Sequence, residues 1–243
     1  MGINFSFLVF FDLCYEQKAF LDPMLALGSL EIHESTDRIR KYAEQESYPN
    51  LARDLTVCSL FRDRYSVSDY RDCDLNEQAN IKLDLNKPLD VGMRDTFGTI
   101  LNAGTVEHVF DIAKTITNIH DMARSGGTII HLAPISWYEH GYYNINPRLL
   151  AAVAKTNEYS LLTEAFWFPD DVLKSQSDFS PDSDVQSTIP TLYITFDGHK
   201  LTPQRESISL IFARNLIPAN ALYMVAYRKN RNKAFTFPYD VCD

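Results

Sequence analysis

Apolar residues along the chain fall into short runs separated by segments with helical spacing. MLALGSLEIH (residues 24–33) is apolar up to Gly28 and follows Pro23, which predicts a buried strand ending near Gly28. STDRIRKYAEQ (35–45) comes next, with Ser35 placed to cap a helix and Asp37 in its first turn. RYSVSDY (64–70) alternates polar and apolar residues and predicts a short strand. IKLDLN (81–86) predicts another, stopped by Lys87 and Pro88. FGTILNA (97–103) reads as a strand leading into a helix over 106–124, with Val109, Ile112, Ile116, Ile119 and Ala123 on one face. Gly126 and Gly127 are placed to end that helix, and TIIHLAP (128–134) is a fifth strand closed by Pro134.

Pro147 suits the first turn of a helix running to Thr156, and EYSLLTEAFW (158–167) is strand-like. TLYITFDG (191–198) and ALYMVAYRK (221–229) are strands flanking a helix over 203–214. Strands alternating with helices are the signature of a parallel α/β sheet, and two late strands predict antiparallel ones at its C-terminal end. INFSFLVFF (3–11) is ended by Asp12, has no basic flank and is too short to span a bilayer; it predicts a helix, within 1–22, that docks on the core. Residues 168–189 are rich in Asp and Ser and predict a solvated surface loop.

The 243 residues, 45% apolar and 23% charged, fit a single globular domain over 1–243 that needs no disulfide or metal staple. A net charge of −9 argues against nucleic acid or an anionic membrane as partner. Cys14, Cys58, Cys73 and Cys242 form no CxxC pair and read as free thiols, so the expected location is cytoplasmic.

Ligands of open parallel sheets bind outside the carboxyl ends of the strands, near the switch in strand order. Gly28 and Ser29, Asp69, Asp84, Asn102 to Thr105 and His131 to Pro134 follow the predicted strands and are the residues to weigh. A glycine after the first strand lets backbone approach a ligand closely. A carboxylate after the second accepts two hydrogen bonds from a ribose diol. Thr105 and Glu107 also suit a helix start, one as N-cap and the other against the helix dipole.

The run LALGS, VSDY, LDLNKPL, ILNAGTVEHVFD and ARSGGTIIHLAP resembles the class I S-adenosylmethionine-dependent methyltransferases over residues 23–165. HGYYNINP, just after the fifth strand, resembles an uncharacterised bacterial methyltransferase-like subgroup of that family. The resemblance implies a Rossmann-like doubly wound sheet and S-adenosylmethionine as cofactor. It implies that Gly28 and Ser29 face the methionine part, Asp69 holds the ribose, and Asp84 with Leu85 flanks the adenine. Asn102, Ala103 and Gly104 would form the floor beneath the sulfonium. Gly28 stands alone where the family has a glycine-rich motif, and Gly28 to Asp69 exceeds the usual spacing of about 20 residues. Asp72 and Asp74 are therefore alternative ribose acids.

Some methyltransferases resembling this one carry ExxEH at residues 104–108 and bind a divalent ion. Here Gly104 occupies the first Glu position, so no metal is expected. The aromatic and polar loop after strand five, with Trp137, Tyr142, Tyr143 and Asn144, is expected to contact substrate. His140 is the candidate general base and His108 a second candidate catalytic residue. The expected activity is methyl transfer to a small-molecule acceptor. A methyltransferase-fold binding protein without catalysis and a nicotinamide-dependent oxidoreductase are the alternatives. The sequence leaves oligomeric state open.

Overall fold

The computed structural model describes residues 2–45, 54–168, 192–195, 200–201 and 220–239. In chain order the strands are β1 (Gly2–Ile3), β2 (Met24–Leu27), β3 (Glu31–Ile32), β4 (Tyr70–Asp74), β5 (Ile81–Lys82), β6 (Phe97–Ala103), β7 (Ala123–Pro134), β8 (Tyr159–Phe168), β9 (Leu192–Thr195), β10 (Lys200–Leu201) and β11 (Leu222–Lys229). Among the described residues nine of them form one sheet, in the order β10-β9-β8-β11-β7-β6-β2-β4-β5, and β1 pairs with β3 apart from it. β5, β4, β2, β6 and β7 run parallel. Counted along the chain they lie 3-2-1-4-5, the doubly wound order, with its switch between β2 and β6. β11 runs antiparallel to both β7 and β8, and β10 antiparallel to β9. The sheet is thus Rossmann-like and mostly parallel, with antiparallel strands toward the C-terminus.

Both faces of the sheet are covered, so its central strands are apolar on both sides. α1 (Phe5–Glu16), α2 (Thr36–Gln45) and α3 (Val57–Tyr65) pack with Met24, Leu101, Ile130 and Met224 on one face. α4 (Ile112–Met122) packs against Leu25, Ile100 and Ile129 on the other, and α5 (Pro147–Thr156) against Phe166, Tyr223 and Val225. Residues adjacent in sequence divide between the layers because side chains alternate along a strand.

α1 is apolar all round, as a helix enclosed by its neighbours must be; Leu8, Val9, Phe10 and Phe11 are buried. Asn4 starts it, its side chain accepting from the Phe7 N–H at 3.1 Å. Asp12 sits deep in this layer among other buried polar groups. The Asp12 carboxylate accepts from Arg64 Nε at 2.9 Å and Tyr65 OH at 3.0 Å through Oδ1, and from Tyr42 OH at 2.6 Å through Oδ2. One side chain of α1 thereby ties down α2 and α3. Among the described residues no helix is long and apolar enough to cross a membrane.

The structure corrects several elements. Residues 64–69 are not a strand. A capping box between Thr56 and Ser59 starts α3, and Ser66, in the left-handed region at φ 59°, ends it. The alternation of RYSVSDY is the end of a helix followed by a loop, and the second parallel strand is Tyr70–Asp74. Asp69 therefore lies before that strand, where its backbone oxygen accepts from Met24 N at 2.8 Å, at the start of β2. It stands about 13 Å, four residues of strand, from the edge where β2 and β4 end. Of IKLDLN, only Ile81–Lys82 pairs.

The helix expected over 106–124 is broken. A 3₁₀ turn covers Val106–His108, Val109 is extended, and Asp111 restarts the helix by accepting from Lys114 N at 2.9 Å. Gly126 and Gly127 do not cap it. They fall inside β7, which starts at Ala123, and the register with β6 jumps from Phe97↔Ala123 to Thr99↔Thr128 around them. Of the acidic loop at 168–189, Phe168 ends β8; the remainder, and the helix at 203–214, lie outside the described residues.

Candidate functional site

At the switch point the exits of β2 and β6 interlock. Gly28 takes φ +78°, open to glycine at little cost. A Cβ on it would meet Thr105 Oγ1 at 2.7 Å, and that hydroxyl donates to the Leu27 carbonyl at 2.5 Å. Thr105 thus holds the neighbouring strand end and makes no side-chain cap. Asn102 does the capping: its Oδ1 accepts from Thr105 N and Val106 N, both at 3.0 Å. Its amide nitrogen then faces His131 Nδ1 at 3.3 Å as donor, which puts the His131 hydrogen on Nε2.

Burial pushes the His131 imidazole down to about 4. Unfolded, it titrates near 6.5, so between these values the unfolded chain binds the proton and the folded chain does not. The His131 contribution is complete above pH ~6.5 and falls as pH drops toward ~4. The expected loss by pH ~5 is about 2 kcal/mol. Urea unfolding of wild type and His131→Gln at pH ~7.5 and ~5 reads it. Parallel pH dependences of the two proteins would remove His131 as the source.

A cavity of about 940 Å³ opens over these strand exits, its wall including Gly28, Ser29, Asp74, Asp84, Leu85, Gly104, His108, Trp137, His140 and Trp167. At one end Ser29 binds two acids. Its N–H donates to Asp74 Oδ2 at 3.1 Å, and its hydroxyl donates to Asp72 Oδ2 at 3.0 Å. Asp74 Oδ1 accepts from Leu75 N at 2.6 Å, so the carboxylate is held by backbone at the carboxyl end of β4. Asp84 accepts from Asn86, and these hydrogen bonds followed by Lys87 hold its carboxyl below the usual range.

The other end is aromatic and imidazole-rich. Trp137 stacks on His140 with centroids 4.6 Å apart and lies 6.4 Å from Trp167, whose indole N–H donates to Ser6 Oγ at 2.9 Å. His108 meets His140 edge-on at 5.0 Å. Beneath them lies Glu107, with 0% of its surface exposed. Its Oε1 is 3.5 Å from His140 Nε2, and among the described residues neither carboxylate oxygen nor that nitrogen has a hydrogen-bond partner. Burial raises the Glu107 carboxyl to about 7. Burial also lowers both imidazoles, with His108 adding to the effect on His140. The loop over Glu107 is latched by backbone: Tyr142 N and Tyr143 N donate to the Glu107 carbonyl at 2.8 and 3.3 Å. A Cβ on Gly141 would come within 2.8 Å of that oxygen, so only glycine lets the loop pass so close.

Gly28, Ser29, Asp84, Leu85, Gly104, His108, Trp137 and His140 therefore share one cavity. Other expected site residues do not reach it. Asp69 sits at the opposite sheet edge in a two-point pair with Arg71 at 2.9 and 2.7 Å. Asn102 and Ala103 are buried behind the wall. Tyr142 is 70% exposed, Tyr143 OH donates to the Phe110 carbonyl at 2.7 Å, and Asn144 Oδ1 accepts from Trp137 N at 2.7 Å. These three brace the loop instead of lining the cavity.

Glu34 and Arg38 line the cavity as a pair 3.2 Å apart, and Trp167 lines it too, although none of the three is among the expected site residues. The signal for Trp167 was present, since it closes an expected strand at the ligand edge. The burial of Glu107 has no local signal, because it depends on the distant loop that carries Gly141 and Tyr142 over it.

No protein-family model matches the chain, and no curated protein matches it. Among solved structures it is similar to a SAM dependent methyltransferase from Archaeoglobus fulgidus, at 11% identity over 92% of this chain and 94% of that one, with a TM-score of 0.43. It is also similar to the MccD protein, at 12% identity over 90% of this chain and 95% of that one, with a TM-score of 0.36. Similarity this remote carries nothing about the reaction.

Proposed function

We propose that this chain is an S-adenosylmethionine-dependent methyltransferase acting on a small-molecule acceptor. The observation that carries the proposal is the cavity of about 940 Å³ at the switch point, with a backbone-and-acid end and an imidazole end. Its size suits a nucleoside-bearing ligand with an acceptor beside it. Gly28 lines the cavity without a side chain, which fits a close backbone approach to that ligand. When bound, the cofactor supplies the electrophilic methyl group.

In this proposal Gly28 and Ser29 face the methionine part, Asp74 takes the ribose diol, and Asp84 with Leu85 borders the adenine. Gly104 leaves room beneath the sulfonium. Trp137 and Trp167 exclude water from the transfer path, and His108 and His140 meet the acceptor's nucleophile, where a neutral imidazole accepts the proton released by a hydroxyl or amine. Direct displacement needs alignment of nucleophile and methyl group more than a covalent intermediate, so the lack of a nucleophile motif is consistent with it.

Calorimetric titration with S-adenosylhomocysteine tests the reading. A single site is expected, weakened at least about tenfold (~1.4 kcal/mol) by Asp74→Ala and unchanged by Asp69→Ala. Absence of heat at about 1 mM ligand, a level that still detects affinities of roughly −4 kcal/mol, would remove the cofactor from the proposal. Weakening by Asp69→Ala alone would return the ribose to the other edge of the strand.

A further inference from the structure

We propose that Glu107, His108 and His140 form a binding site for one divalent transition-metal ion at the imidazole end of the cavity. One ligand atom from each of the three lies within 4.8 Å of the other two. The arrangement differs from a chance surface cluster in its first member. Glu107 is wholly buried, and both of its carboxylate oxygens lack a hydrogen-bond partner among the described residues. A buried carboxylate in that condition carries a desolvation cost that a cation offsets.

The spacing also suits an ion better than a hydrogen bond. Glu107 Oε1 and His140 Nε2 are 3.5 Å apart. A charge-assisted hydrogen bond would bring them to about 2.7–2.9 Å. Two atoms bound to a common zinc at ~2.0–2.1 Å in tetrahedral geometry stand roughly 3.3–3.4 Å apart. His140 is already oriented by its stack on Trp137, and the Glu107 backbone by the Tyr142 and Tyr143 N–H groups. Such supporting contacts are what fix the ligands of a metal site.

The donor set selects the ion. Two imidazoles and one carboxylate suit zinc, cobalt, iron or nickel, whereas magnesium and calcium prefer oxygen donors throughout. Three protein ligands leave a coordination position open, and with His108 and His140 on the cavity wall it faces the cavity. The sequence hides this site because Gly104 stands where the ExxEH pattern has its first Glu. The third ligand comes from the loop after β7, carried over Glu107 by Gly141.

Zinc titrated into chelator-stripped full-length protein, followed by calorimetry, tests the proposal. One equivalent is expected to bind at micromolar or tighter affinity, with magnesium at least about a hundredfold weaker. Glu107→Gln and His140→Ala are each expected to weaken zinc at least about tenfold while the folded baseline in circular dichroism is kept. Zinc-edge X-ray absorption of the wild-type complex should show nitrogen and oxygen neighbours without sulfur, a readout that survives if either variant fails to fold. Lack of zinc binding, unchanged affinity in both folded variants, or sulfur ligation by cysteine would each overturn the site. Only a role for the ion in orienting the acceptor rests on the methyltransferase proposal. S-adenosylhomocysteine titration of the stripped protein separates the two: cofactor binding without zinc binding sinks the metal site alone, and the reverse sinks the cofactor alone.

Discussion

Asp12→Ala is expected to destabilise the fold by about 3–5 kcal/mol, the range for removing one partner of a buried ion pair. Asp12 is 3% exposed and Arg64 4% exposed. Burial raises the Asp12 carboxyl, and Arg64 with the Tyr42 and Tyr65 hydroxyls works against that rise. Taking the carboxylate away removes the Asp12 charge from beside a buried guanidinium and strips an acceptor from two tyrosines on different helices. The pair itself need not be a large net stabiliser, since its desolvation offsets most of its attraction. An Asp12→Leu, Arg64→Met double variant is accordingly expected to recover most of the loss. Urea midpoints at unchanged m-value measure both, and a single-variant loss below about 1 kcal/mol would show that water or local rearrangement solvates Arg64.

The second large effect is at Asn102. Its Oδ1 is the acceptor for two N–H groups of the turn that carries Gly104 and Glu107, and the residue is 1% exposed. Asn102→Leu keeps roughly the side-chain size and removes the acceptor, leaving the Val106 N–H buried without a partner. A loss of about 2–4 kcal/mol is expected from the two unmade hydrogen bonds. Because the same turn positions the cavity wall, S-adenosylhomocysteine affinity should fall with it, although Asn102 itself does not line the cavity. A melting temperature within about 2 °C of wild type, equivalent to at most about 1 kcal/mol for a chain of this size, would mean that the turn holds without its cap.

The helix and strand errors share one cause. RYSVSDY has the alternation of a strand, but Arg64 belongs to a helix end that reaches Asp12, 52 residues away. Local pattern cannot register such a partner. Moving the second strand to Tyr70–Asp74 also moves the acid at its carboxyl end from Asp69 to Asp74. Val109 and Ile112 have helical spacing, yet Asp111 caps a new helix between them, and competition between a cap and a periodic pattern is settled by what packs against each.

The sequence by itself determined the α/β alternation, the long strands β6 and β11, the buried N-terminal helix and the turn glycine at Gly28. Each of these is written locally, as an apolar run enclosed on both sides or as a backbone shape that one residue type accepts at low cost. Only the tertiary structure decided which acid lies at the cavity, that Asn102 braces a turn behind its wall, and that Glu107 is buried beneath two imidazoles. Those outcomes depend on strand order and on a loop crossing from the end of β7 to the end of β6. Spacing along the chain carries no record of that crossing, because desolvation is set by neighbours in space.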